Sequence, residues 1–339
     1  MRPAGGTGPV RRWRRPGLIA AAAALATGAA VLVPAAAHRG DAGGDRAGRP
    51  VTGTVRDDVD SAADSCETPE ASLRPSRGSG RAIAEIRKRG VLRAGVDQNS
   101  YNWGYRNPAT GELTGFDIDL VRAIADDILG KDGKVVYSTI PTSRRVGALE
   151  DRDVDVVVRT MTINCERAED VAFSTAYFRA GQQVLATRED LLADGEREIT
   201  GYDGSLRGRR VCAARGSTAE AELTKDSHGA RVVPVPNQLD CLVRLQLGEV
   251  DAVVTDNALA AGQAAQDPTV ELKGAPFTTE LYGVAMNQRD EDLVRRVNKV
   301  LDDYRKGGRK SRWMKAYDKW LADDLGEENP TPPRPKYRD

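Results

Sequence analysis

Leu149-Glu-Asp-Arg-Asp-Val-Asp-Val-Val-Val-Arg-Thr160 is matched further along the chain by Leu245-Gln-Leu-Gly-Glu-Val-Asp-Ala-Val-Val-Thr-Asp256. In both stretches a leucine is followed at the same distances by Val-Asp and then Val-Val. The leucine suits the inner face of a helix end, and the valine-rich run suits a strand buried on both faces. A helix end, a tight turn and a buried strand therefore occur twice, which predicts two similar α/β lobes. Ligands of open α/β sheets bind beyond the C-terminal ends of the strands. Thr160 and Asp256 hold the same place in the two copies, so both are expected to face one cleft. The plainer alternative is a chance recurrence of a common helix-turn-strand phrase.

Outward from these copies the chain alternates strand and helix. Strand patterns cover Val91–Asp97, Val135–Ile140 and Val154–Thr160, with helices at Asp117–Leu129 and Arg145–Asp151 between them. In the first of those helices Ile118, Val121, Ile124, Ala125 and Ile128 share a face. The second half repeats the theme: strands at Val211–Ala214, Val232–Val235 and Val250–Thr255, with helices at Ser217–Lys225 and Gln238–Leu247. Such alternation predicts an α/β fold with largely parallel sheets.

The ends read differently. Arg11, Arg12, Arg14 and Arg15 precede an apolar run from Leu18 to Ala37 that closes on small residues. This is the pattern of a secretory signal, with an uncleaved membrane anchor as the alternative. Residues 38–80 are rich in Gly, Asp, Arg, Ser and Pro and read as a flexible spacer, and residues 326–339 as an extended Pro-rich tail. Lobe 1 is expected over 81–184, lobe 2 over 185–280, and a return to lobe 1 over 281–325. The body of the chain is accordingly expected outside the cytoplasm, secreted or anchored to the outer face of the membrane. Lys+Arg and Asp+Glu each number 50 among 339 residues, a balance that argues against nucleic acid as a partner.

There are 4 cysteines, and an even number in an exported chain suggests disulfides. Cys212 and Cys241 fall in one expected lobe, which pairs them and leaves Cys66 with Cys165; buried free thiols are the alternative. His38 and His228 are the only histidines, so neither a zinc site nor a histidine-based triad is expected, and no metal, cofactor or catalytic residue is assigned.

The remaining chemistry suits a ligand carrying a carboxylate and an ammonium at fixed separation, as a free amino acid does. A closed cleft must supply partners for both charges or lose several kcal/mol for each. Arg167, in Thr160-Met-Thr-Ile-Asn-Cys-Glu-Arg167, offers a guanidinium. Gly216-Ser217-Thr218 opens a helix whose first N–H groups can receive an anion. Asp256 is the natural ammonium partner. Each has a duller alternative: Ser217 or Thr218 as a plain helix cap, Asp256 as the cap of a helix over Asn257–Gln266, and Arg167 in a surface ion pair with Glu166 or Asp170.

Taken together, Gly115-Phe-Asp-Ile-Asp-Leu120, Val154-Asp-Val-Val-Val158, Met161-Thr-Ile-Asn-Cys-Glu-Arg167, Ala172-Phe-Ser-Thr-Ala-Tyr177, Gly216-Ser-Thr218 and Val250-Asp-Ala-Val-Val-Thr-Asp256 resemble the family 3 solute-binding proteins, the polar amino acid receptors of ABC importers. The likeness runs from about Arg81 to Leu325. Arg179-Ala-Gly-Gln-Gln183 and the Cys-Glu-Arg phrase are most similar to actinobacterial glutamate/glutamine-binding members.

The resemblance implies a type II periplasmic-binding fold, with two α/β lobes joined by two crossing strands near Gly181–Arg188 and Tyr282–Asn287. Helices over Glu291–Arg305 and Arg312–Ala322 would return to the first lobe. It also implies that Arg167 holds the ligand α-carboxylate, helped by Thr162 and the Ser217/Thr218 helix start. Thr160 and Asp256 would take the ammonium, and Tyr101 or Trp103 would cover the ligand's stem.

For the ligand side chain, Arg145 and Arg159 favour glutamate or aspartate, then glutamine, with a hydrogen bond from Gln183. Asp97 would favour a basic ligand unless it pairs with one of those arginines. The implied role is a monomeric receptor for an ABC permease, not an enzyme. The alternatives are a sensor docking on a membrane signalling partner and a dehydratase-type enzyme using Glu166 or Asp97 as an acid.

Overall fold

The computed structural model describes residues 66–326 and 330–339; the basic-apolar leader and the spacer up to residue 65 lie outside them. The main strands, in chain order, are β1 (Leu92–Val96), β2 (Val135–Thr139), β3 (Val156–Val157), β4 (Val171–Phe173), β5 (Phe178–Ala180) and β6 (Gln182–Thr187). They continue as β7 (Arg210–Ala214), β8 (Arg231–Val235), β9 (Ala252–Asp256), β10 (Val270–Lys273), β11 (Glu280–Tyr282) and β12 (Ala285–Asn287). The helices are α1 (Arg81–Arg89), α2 (Phe116–Leu129), α3 (Arg145–Glu150), α4 (Cys165–Ala168), α5 (Thr218–Lys225), α6 (Gln238–Gln246), α7 (Asn257–Gln266), α8 (Glu291–Arg305), α9 (Arg312–Trp320) and α10 (Ala322–Leu325).

Two sheets of the same design result. Lobe 1 has the order β2-β1-β3-β12-β4 and lobe 2 the order β8-β7-β9-β6-β10. In each, the first three strands run parallel and a strand from the other half of the crossover enters antiparallel beside the third.

The sequence echo is a true structural repeat. Asp155 accepts from the N–H and the guanidinium of Arg93 on β1, both at 2.8 Å. Asp251 does the same for Arg210 on β7, both at 2.6 Å. The turn before each Val-Asp uses a left-handed residue at the matching place, Arg152 at φ 57° and Gly248 at φ 66°. Arg152, which lacks a glycine's freedom there, is held by a salt bridge to Asp290 at 3.0 Å.

Some expectations need correction. The strand expected over Val154–Thr160 pairs only at Val156–Val157. It ends because Thr160 turns into the left-handed region at φ 41°, where its N–H goes to Asp117 in the first turn of α2 at 3.0 Å. The crossing pair lies just ahead of the expected positions: β5 runs antiparallel to β11. Most of Gly181–Arg188 is instead the lobe 2 strand β6, and the second half of Tyr282–Asn287 is the lobe 1 strand β12. Gly181 marks the break, where a Cβ would come 2.6 Å from the Thr278 carbonyl.

The chain from residue 66 onward, expected as spacer, is packed on lobe 1. Ala71–Ser72 pairs in parallel with Lys336–Tyr337 of the tail, and the buried Ser72 hydroxyl donates to the Phe173 carbonyl at 2.6 Å. As expected, α8 and α9 return to lobe 1, where Trp313 joins Trp103, Phe116 and Phe178 in one aromatic core.

Candidate functional site

Arg145, Thr160, Thr162 and Arg167 from lobe 1 and Ser217, Thr218 and Asp256 from lobe 2 line a single cavity. The lobes are shut upon it. Arg145 and Arg167 both donate across the gap to the Gly216 carbonyl, at 3.2 and 3.1 Å. Arg159 reaches Asn237 at 3.1 Å, and the Trp103 indole reaches the Ala258 carbonyl at 3.1 Å.

Local structure explains how each group is aimed. Asn164 caps α4 by accepting from the Arg167 N–H at 3.0 Å. That short turn sends the half-buried Arg167 side chain back to the Thr162 carbonyl at 2.8 Å, and among the described residues it makes no ion pair with Glu166 or Asp170. The disulfide Cys66–Cys165, Cα–Cα 5.6 Å, fastens the same turn to the start of the described chain. The second disulfide, Cys212–Cys241, Cα–Cα 5.5 Å, ties β7 to α6 within lobe 2. Both pairings are the expected ones.

At the lobe 2 side, Gly216 turns at φ 73° and donates to the Glu220 carboxylate at 2.7 Å. The Ser217 hydroxyl accepts from the Glu220 N–H at 3.1 Å, so its side chain acts as the plain helix cap. The N–H groups of Thr218 and Ala219 begin α5, where the helix offers them no internal partner.

Asp256 starts α7 but makes no capping bond with its side chain. Its carboxylate instead accepts from Gln182 at 2.8 Å and from the Tyr282 hydroxyl. Burial, and then the charge of Glu280, pushes its pKa up to about 7. Asp117, behind Thr160, is also raised to about 7 by burial, against the opposing bonds from Tyr177 and Thr160. Arg145 is 3 % exposed, and among the described residues its guanidinium finds only carbonyls: Thr142, Arg159 and Gly216. Burial, then the charges of Arg167 and Arg159, pulls its pKa well below the ordinary value. Since arginine keeps its proton in proteins, a negative partner would relieve the charge held there.

The other expected residues lie elsewhere. Asp97 and Arg159 form a buried pair at 3.2 Å, and neither lines the cavity. Asp97 is further engaged by the Gln98 N–H and the Ser100 hydroxyl at 2.8 and 2.7 Å. Tyr101 packs edge-on against Tyr105 at 5.2 Å, outside the lining, and Trp103 is buried among Phe116, Phe178 and Tyr282. Gln183 points to the other face of β6 and donates to the Gly274 carbonyl at 2.6 Å.

Three residues went unnoticed in the sequence. Gln182, paired in register with Asp256, lines the cavity with a buried oxygen that has no partner among the described residues. Gln238 lines it from the start of α6. Glu280, on the crossing strand β11, accepts from the hydroxyls of Thr162 at 2.6 Å and Thr218 at 3.0 Å, one from each lobe. A hydroxyl has a single proton to give. Thr162 and Thr218 therefore turn lone pairs to their other neighbours. Among the described residues no group of His, Cys, Asp and Glu is arranged to hold a metal.

The cavity thus has a cationic end at Arg145 and Arg167, and an acceptor end at Asp256 and the Gln182 oxygen. Residues 92–323 match the family model of bacterial extracellular solute-binding proteins, family 3. The ABC transporter glutamine-binding protein GlnH of Bacillus subtilis is 33% identical over 245 residues, covering 72% of this chain and 86% of that one. The glutamate-binding protein GluB of Corynebacterium efficiens is 26% identical over 264 residues, 75% of this chain and 85% of that one. A solved structure of an ancestral arginine-binding protein bound to glutamine has 35% identity and a TM-score of 0.62, covering 70% of this chain and 99% of that one.

Proposed function

Because the chain belongs to the bacterial extracellular solute-binding proteins of family 3, we propose that it is an extracytoplasmic receptor whose lobes close over a free amino acid, glutamate or aspartate first and glutamine next. It delivers that ligand to an ABC importer and performs no chemistry on it. The names of the relatives, glutamine-binding and glutamate-binding, support an amino acid of this class.

In this reading the α-carboxylate is received by Arg167 and the first N–H groups of α5, a forked cation and a helix N-terminus. The ammonium goes to Asp256, the Gln182 oxygen and Thr160. Ligand contacts from both lobes then stabilise the shut state, as hinge closure requires.

The observation that carries the choice of side chain is Arg145, a buried guanidinium without a carboxylate partner among the described residues, on the same cavity as Arg167 and Asp256. A ligand carboxylate would relieve the cost of that buried charge. Asp97, the group that would have favoured a basic ligand, is already taken by Arg159. An arginine or lysine side chain would bring a third cation against Arg145.

A thermal-shift screen over the common amino acids tests this, since a ligand that binds only the folded state raises Tm. Glutamate, aspartate or glutamine should give the largest rises. A large rise with lysine or arginine and none with those three would refute the assignment.

A further inference from the structure

Two glutamine side chains line the cavity, and each has a buried oxygen without a partner among the described residues. Their situations differ. The Gln182 amide is locked: its Nε2 donates to the Asp256 carboxylate and to the Thr218 hydroxyl, both at 2.8 Å. Turning it over would set oxygen against carboxylate, so its Oε1 can only accept, and it serves a ligand N–H.

The Gln238 amide is not locked. The residue is 7 % exposed, and its backbone is fixed at the first turn of α6, where its carbonyl accepts from Gln263 at 2.9 Å. The preceding residue, Asn237, receives Arg159 from lobe 1 at 3.1 Å. Yet the side-chain amide of Gln238 makes no hydrogen bond among the described residues, and its oxygen is buried. The terminal torsion of a glutamine is broad and close to two-fold. Half a turn exchanges oxygen for NH2 at little cost and without moving the helix.

Its polar counterpart on the same cavity is Arg145, which can only donate. A side-chain carboxylate would take Arg145 on one oxygen and need a donor for the other. A side-chain carboxamide would take Arg145 on its oxygen and need an acceptor for its NH2. One rotatable amide meets both needs. An aliphatic side chain would leave both groups buried and unpaired, which disfavours it.

We propose that Gln238 is the specificity-determining residue that lets one cleft accept both a side-chain carboxylate and a side-chain carboxamide, by turning its free amide to suit the ligand. This rests on the amino acid receptor reading above, with the α-groups at Arg167 and Asp256.

Isothermal titration of the wild-type chain, Gln238→Glu and Gln238→Met with L-glutamate and L-glutamine tests it. Wild type should bind both, with Kd values within about tenfold of each other. Gln238→Glu keeps the acceptor but opposes a ligand carboxylate, so the ratio of Kd for glutamate to Kd for glutamine should rise at least about tenfold. Gln238→Met removes donor and acceptor together, so both ligands should weaken by a similar factor.

An unchanged ratio in Gln238→Glu, or wild-type discrimination beyond about a hundredfold, would overturn the role of Gln238 while leaving the receptor reading intact. Should Gln238→Glu fail to fold, a loss confined to one ligand in Gln238→Met would overturn it equally. Wild type that binds neither glutamate nor glutamine would remove the receptor reading and the proposal with it.

Discussion

At the scale of single residues, the account turns on charges that are out of water without full compensation. Burial pushes the pKa of Asp256 up to about 7, so without ligand it would take up a proton as pH falls below that value, and under the proposed reading an incoming ammonium would have to displace it. Affinity should therefore weaken as pH falls. Between about pH 7.5 and about 5.5 the Kd should rise on the order of 20-fold, with proton release visible in buffers of different ionisation enthalpy.

Stability runs the other way. The pKa values of Asp256 and Asp117 lie above that of an unfolded carboxylate, so between the two values the folded chain binds more protons than the unfolded one. The Tm of the ligand-free protein should rise as pH falls through 7. A Kd that does not move with pH would show that Asp256 is not the ammonium's partner.

Asp256 and Arg167 could be singled out in the sequence because Asp256 closes one copy of the repeated strand and Arg167 follows the other. Gln182 was not: on a strand, adjacent residues face opposite sides, and nothing local distinguished it from Gln183. Asp97 and Arg159 were legible as charges, but their mutual pairing depends on how β1 and β3 lie side by side.

At the scale of elements, α2 connects the fold to the site. Its N-cap, Gly115, has φ 129°, and a Cβ there would come 2.2 Å from the Trp103 carbonyl. Gly115→Ala should cost about 3 kcal/mol or more and lower Tm by on the order of 10 °C. Because Asp117 in the next turn positions Thr160, ligand affinity should fall too. Gly111→Ala, also at positive φ but facing open space, should cost only about 1 kcal/mol, so equal losses in the two variants would contradict this account of α2.

The helix with strong periodicity was read nearly to its ends, expected over Asp117–Leu129 and found as α2, while the helix over Glu291–Arg305 came from the family resemblance. The segments that failed are irregular ones. Around Asp97–Trp103 no period tells which aromatic enters the core, and Trp103 did. In the crossing segments the pattern of a hinge strand merges with that of the sheet strand after it, so Glu280 passed unnoticed.

At the scale of the whole molecule, the doubled Val-Asp phrase accounts for the architecture: two sheets of one design, facing each other through the ends of β3 and β9. The cavity exists because the repeat carries Thr160 on one copy and Asp256 on the other. Closure is prepared by the protein's own contacts, since Glu280 on the crossing strand takes a hydroxyl from each lobe. What the ligand would add is a zwitterion bridging the guanidinium carried by lobe 1 and the carboxylate carried by lobe 2.

Titration of L-glutamate into wild type, Arg167→Ala and Asp256→Ala measures that bridge most directly. The account predicts that each substitution alone costs about 2–5 kcal/mol, from roughly thirtyfold to complete loss of measurable binding. Wild-type affinity in either variant would contradict it.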